Sequence, residues 1–106
     1  DNRRKPDEEP QTPPSCTLIF PDPIEATGRT FSEMVLREPV VRERRIMKAA
    51  EAKGTPEAFL QAEIALVEAV SEWPKAAVLK MPISKFAKAA DYLTGFFYSG
   101  PATGNV

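Results

Sequence analysis

A chain of 106 residues with 42% hydrophobic and 27% charged side chains has the size and composition of one soluble domain with a modest core. Fourteen basic and fifteen acidic residues leave a net charge of -1, so no overall field draws the chain to nucleic acid or an anionic membrane. Histidine is absent and Cys16 is the one cysteine, which excludes an intrachain disulfide and argues against a Cys/His zinc site.

Residues 1–15 hold Pro6, Pro10, Pro13 and Pro14 among mixed charges and no large apolar side chain. Such a segment cannot bury enough surface to offset chain entropy, and it reads as a disordered Pro-rich arm. Residues 16–98 read as a single α+β domain, and residues 99–106, SGPATGNV, as a flexible tail. A lone cysteine, no apolar run near the ~20 residues of a membrane span, and no apolar signal-peptide core at DNRRKPDEEP together predict a cytoplasmic protein, neither secreted nor inserted.

Thr17 to Phe20 is β-prone, Pro21 and Pro23 interrupt a regular strand, and Ala26-Thr27-Gly28-Arg29 supplies a turn. On the return, Phe31 has one parity and Met34 and Leu36 the other. Either a bulge near Ser32 and Glu33 re-aims the side chains, or both faces are partly covered; the phase break leaves Phe31 directed toward an arm or a partner. Pro39 marks the change to helix.

The first helix is expected over about Val40 to Ala52, ending near Gly54, with apolar contacts from Val40, Ile46, Met47 and Ala50 beside the charged run Arg42 to Arg45. Thr55-Pro56-Glu57 combines an N-cap hydroxyl, a proline at the first helical position and an acid near the positive end of the dipole. The helix that follows, about Pro56 to Trp73, carries two apolar stripes: Leu60, Ile64 and Val67, then Phe59, Leu66, Val70 and Trp73. Lys75 to Met81 is bracketed by prolines and fits a turn or two of helix. Ser84 is the expected cap of a last helix, about Lys85 to Tyr98, burying Phe86, Ala90, Leu93 and Phe97, with Ala89, Tyr92 and Phe96 as a second stripe. The architecture implied is a short N-terminal β-hairpin packed on a bundle of three to four helices.

No catalytic residue, cofactor site or metal site emerges from this pattern. No carboxylate stands in an apolar setting that suggests a shifted pKa, and Cys16 has no histidine to activate it, so the chain reads as non-enzymatic. The Arg42 cluster raises a small DNA-binding regulator as one reading, opposed by Glu38, Glu43 and Glu51, which fit a salt-bridged helix face. Tyr92, Phe96, Phe97 and Tyr98 put four aromatics in seven residues, more than one buried face of a short helix requires.

The order of features, a Gly-turn hairpin, LREP, a charged helix, a long amphipathic helix ending SEWP and a final MPISKFAKAADYLTGFF helix, resembles the small tail assembly chaperones of long-tailed bacteriophages, particularly the Mu-like tail assembly proteins. The similarity runs from about Leu18 to Phe97 and is carried by Pro23, Ile24, Gly28, Met34, Leu36, Arg37, Pro39, Leu93 and Phe97. It implies a non-enzymatic assembly factor in the host bacterial cytoplasm that binds the tape measure protein and keeps it soluble during tail tube assembly. Contacts with the tail tube protein or with further copies of the chain are secondary expectations, with no nucleic acid and no membrane. Phe59, Leu66, Trp73, Tyr92 and Phe96 are the expected partner-binding residues. A structural tail or head-tail joining protein, using the hairpin edge for strand addition, is the alternative class.

Overall fold

The computed structural model describes residues 13–98 as a two-stranded antiparallel hairpin followed by four helices: β1 (Ser15–Ala26), β2 (Arg29–Arg37), α1 (Val41–Lys53), α2 (Pro56–Ser71), α3 (Lys75–Val78) and α4 (Ile83–Tyr98). This is the expected α+β architecture. Most of the expected arm and all of the tail lie outside the described residues. The last arm residues do not: Ser15 opens β1, and the Glu38 amide donates to the carbonyl of Pro14 at 3.2 Å.

The hairpin turns at Thr27 and Gly28, with φ of 54° and 74°, the positive values that a two-residue turn matched to strand twist demands. Pairing runs from Ser15↔Arg37 to Ile19↔Glu33 and resumes at Ile24↔Phe31, so Phe20 to Pro23 on β1 lie opposite Ser32 alone on β2. The irregularity predicted near Ser32 is therefore present, and the extra residues sit on the strand where Pro21 and Pro23 lack the amides to pair. It also decides the fate of Phe31. The break in phase returns that side chain to the inner face, where it is buried with Leu18, Phe20, Ile24, Met34 and Leu36, so the expectation that it points to an arm or partner is corrected.

The helices cover one face of the hairpin. α2 packs against β2, α3 against β1, and α4 beneath both, while α1 packs chiefly on α2. Trp73, just past α2, sits between the rings of Phe20 and Phe31, with centroids 5.2 and 5.0 Å away. Three helix boundaries follow from local chemistry. Gly54 at φ 72° ends α1, and Thr55 Oγ1 accepts from the Ala58 amide at 3.1 Å with Pro56 in the first turn of α2. Glu72 ends α2 in the left-handed region at φ 63°. Ser84 is not a cap: α4 starts one residue earlier, and the Pro82 carbonyl accepts from Lys85 and Phe86 at 3.0 Å each.

Candidate partner-binding surface

The Arg37-Glu38-Pro39 segment joins strand to helix through one buried carboxylate. Glu43, at 1% exposure, receives Arg37 Nη1 and Nη2 at 2.9 and 2.7 Å, and its Oε1 also accepts the Val40 amide at 2.9 Å. Valine offers no side-chain acceptor in return, so Glu43 caps α1 by itself. The bidentate guanidinium holds the Glu43 carboxyl below its usual range, and the Val40 amide adds to the effect against the opposing cost of burial. The sequence pattern puts Glu43 in a salt-bridged helix face and does not show its burial or its capping role. The available signal was an acid six residues after an arginine across a proline.

The rest of the Arg42 to Arg45 run also serves the fold. Arg44 donates to Glu51 Oε2 at 3.2 Å and lies over the rings of Phe97 and Tyr98, 5.0 and 5.6 Å from their centroids. The Tyr98 hydroxyl donates to the same Glu51 oxygen, which lowers the Glu51 pKa. Lys48 is 3.8 Å from Glu51 on the same helix face. This is the salt-bridged arrangement, extended into a latch between α1 and the end of α4.

The five expected partner residues separate. Leu66 is fully buried and Trp73 is 7% exposed inside the aromatic core, so in the folded monomer neither offers a surface. The second stripe of α2 is occupied because the hairpin itself packs on it. Phe59 is partly buried against the core near the start of α2. Tyr92 and Phe96, one turn apart on α4, are half-buried and stack edge to face at 5.2 Å. The Tyr92 hydroxyl donates to the Pro13 carbonyl, and burial raises the tyrosine pKa. Phe97 and Tyr98 continue the tract, with Tyr98 at 51% exposure. The structure thus arranges these aromatics as two pairs, Tyr92 with Phe96 and Phe97 with Tyr98, the second pair lying against Arg44 of α1.

Other apolar surface was not anticipated. Ile19 and Val35, at 56% and 55% exposure, lie on the hairpin face opposite the helices, and Leu79 and Ile83 flank the link from α3 to α4. A groove of about 480 Å³ lies between α1 and α2, lined by Ile46, Ala50, Ala58 and Ala62 among others, where small side chains allow close approach of another helix. The alternation of strand parity could have shown Ile19 and Val35. The groove depends on how two helices cross and has no local signal.

Among the described residues no group of three or more His, Cys, Asp or Glu side chains could hold a metal ion, and no helix is long and apolar enough to cross a membrane. Glu63 on α2 has a raised pKa from burial and from nearby Asp91 on α4, a like-charge pair with no base or nucleophile attached to it. What the geometry offers is contact surface: half-open aromatics, exposed strand-face aliphatics and a groove between helices.

No curated protein and no solved structure matches this chain. A family model does, over residues 15–98, and it is described as phage tail assembly chaperone proteins, E, or 41 or 14. The match begins at the first residue of β1 and ends at the last of α4, so it takes in the whole hairpin and helical layer. The chain belongs to the phage tail assembly chaperone family, and its role is in tail assembly.

Proposed function

We propose that this chaperone binds the tape measure protein in the host cytoplasm and keeps it soluble while tail tube subunits polymerise around it, without catalysis. The observation that carries the reading is the half-buried, edge-to-face pair of Tyr92 and Phe96 on α4, followed by half-buried Phe97 and exposed Tyr98. Aromatic rings offer large contact area at little entropic cost, which suits repeated weak contacts along a rod of amphipathic helices. The groove between α1 and α2 is a second seat for a helix. Phe59, Tyr92 and Phe96 remain in the proposed contact set, while Leu66 and Trp73 act by holding the hairpin on α2.

Co-expression tests this. With the wild-type chain, the tape measure protein is expected in the soluble fraction and to co-purify. With Tyr92→Ser and Phe96→Ser together, the chaperone should stay folded by far-UV circular dichroism and the tape measure protein should return to the pellet. Equal solubility with and without the wild-type chain would overturn the reading.

A further inference from the structure

The two edges of the hairpin are not equivalent. In an antiparallel ladder each residue sends its N–H and C=O either both to its partner strand or both outward, and the two kinds alternate. The Glu38 amide bonds to Pro14, so Leu36 and Met34 turn to β1, and Glu33, Val35 and Arg37 turn outward. On β1 the outward groups of the half next to the turn are occupied or missing, while Ser15, Thr17 and Ile19 also turn outward but carry no charges that would set a register. Pro21 and Pro23 have no N–H, and Lys80 Nζ donates to the Glu25 carbonyl at 2.8 Å. These are the devices by which edges are blunted. β2 has none of them: it contains no proline, and among the described residues no hydrogen bond from outside the hairpin reaches its backbone.

We propose that the outer edge of β2 pairs with the same edge of a second copy of this chain, two-fold about Val35, forming a four-stranded sheet β1-β2-β2-β1. Only residues with outward groups can pair, which restricts the register to those that match Glu33, Val35 and Arg37 with one another. Centred on Val35, all three pair: Glu33 with Arg37 of the second copy, Val35 with Val35, and Arg37 with Glu33, each pair exchanging two hydrogen bonds. Centred on Glu33, a carboxylate faces a carboxylate, which is destabilising. Centred on Met34 or Leu36, one of the three loses its partner. The charge order E-x-V-x-R is therefore self-complementary in the register that also makes most hydrogen bonds. Arg37 keeps capacity for this while held by Glu43, because its side chain is 39% exposed and a guanidinium has five donors. The exposed Val35 side chains then meet across the axis, and both helical layers lie on one side of the sheet. The pairing closes at two copies.

Sedimentation velocity from about 1 µM to about 1 mM is the test, with a reversible monomer–dimer equilibrium expected. Val35→Pro deletes an outward amide without touching the β1 ladder and should weaken the dimer at least about tenfold while leaving far-UV circular dichroism unchanged. Glu33→Lys, which sets like charges opposite each other, should also weaken it; Ile19→Lys on β1 should not. A wild-type chain that is monomeric throughout overturns the proposal, as does a Val35→Pro dimer of undiminished strength or an open-ended polymer. If the chain is monomeric and the Glu33, Val35 and Arg37 amides gain hydrogen-exchange protection only with a tape measure fragment, the edge belongs to a partner strand and the second-copy assignment fails.

Discussion

Glu43 shows how one buried charge ties local to tertiary structure. Its carboxylate caps α1 through the Val40 amide and pins α1 to the end of β2 through Arg37. Removing it leaves the Val40 amide and the half-exposed Arg37 guanidinium without their acceptor, so Glu43→Ala should cost about 1–3 kcal/mol in urea unfolding. Its folded pKa is depressed, so the stabilisation is full above the unfolded value near about 4.3 and is lost as pH falls from there through the folded value. Glu43→Gln should therefore flatten the acid limb of a stability–pH profile, and an unchanged limb would show that the carboxylate is not what titrates. Trp73, the one tryptophan, reports on the core. Its emission should be blue-shifted and poorly quenched by iodide in the native state, and Trp73→Ala should destabilise by about 3–5 kcal/mol.

Among the elements, the hairpin turn carries a local conflict. Thr27 is β-branched and sits at φ 54°, a region that such residues rarely adopt, while Gly28 beside it is suited to φ 74°. The Thr27 hydroxyl offsets part of this by donating to the Ala26 carbonyl at 2.6 Å. Thr27→Asn would create the Asn-Gly pair favoured in this turn and should stabilise the fold by about 0.5–1 kcal/mol, read as a rise in Tm. At the start of α2 the reverse holds. Thr55 already caps the helix, and Thr55→Ala should cost about 1 kcal/mol.

For the whole molecule, a two-stranded ribbon is not independently stable, and here it is held by burying one face on α2, α3 and α4. That leaves the opposite face and the β2 edge for contacts, while the end of α4 presents the Tyr92–Phe96 pair. An assembly chaperone acts during tail construction, so mass spectrometry of purified particles should find the tail proteins without this chain; a stoichiometric amount would favour a structural tail component.

The chain's own sequence determined the hairpin with its Gly28 turn, the change to helix at Pro39, the Thr55-Pro56 helix start and the α4 face of Phe86, Ala90 and Leu93. In each, the cause lies within a few residues: a positive φ, a missing amide, a capping hydroxyl, a 3.6-residue period. Only tertiary structure decided which apolar stripe is core. Leu66 and Trp73 read like a surface because a wide apolar helix face looks the same whether a partner or the protein's own hairpin covers it. Phe31 read as turned away because parity cannot show that β1 carries four residues, Phe20 to Pro23, opposite Ser32 alone and that this restores its facing. Glu43 read as part of a salt-bridged helix face because nothing local shows that the Arg37 guanidinium reaches it from the end of β2 and allows its burial. Those outcomes depend on which surfaces meet, and no local pattern encodes that.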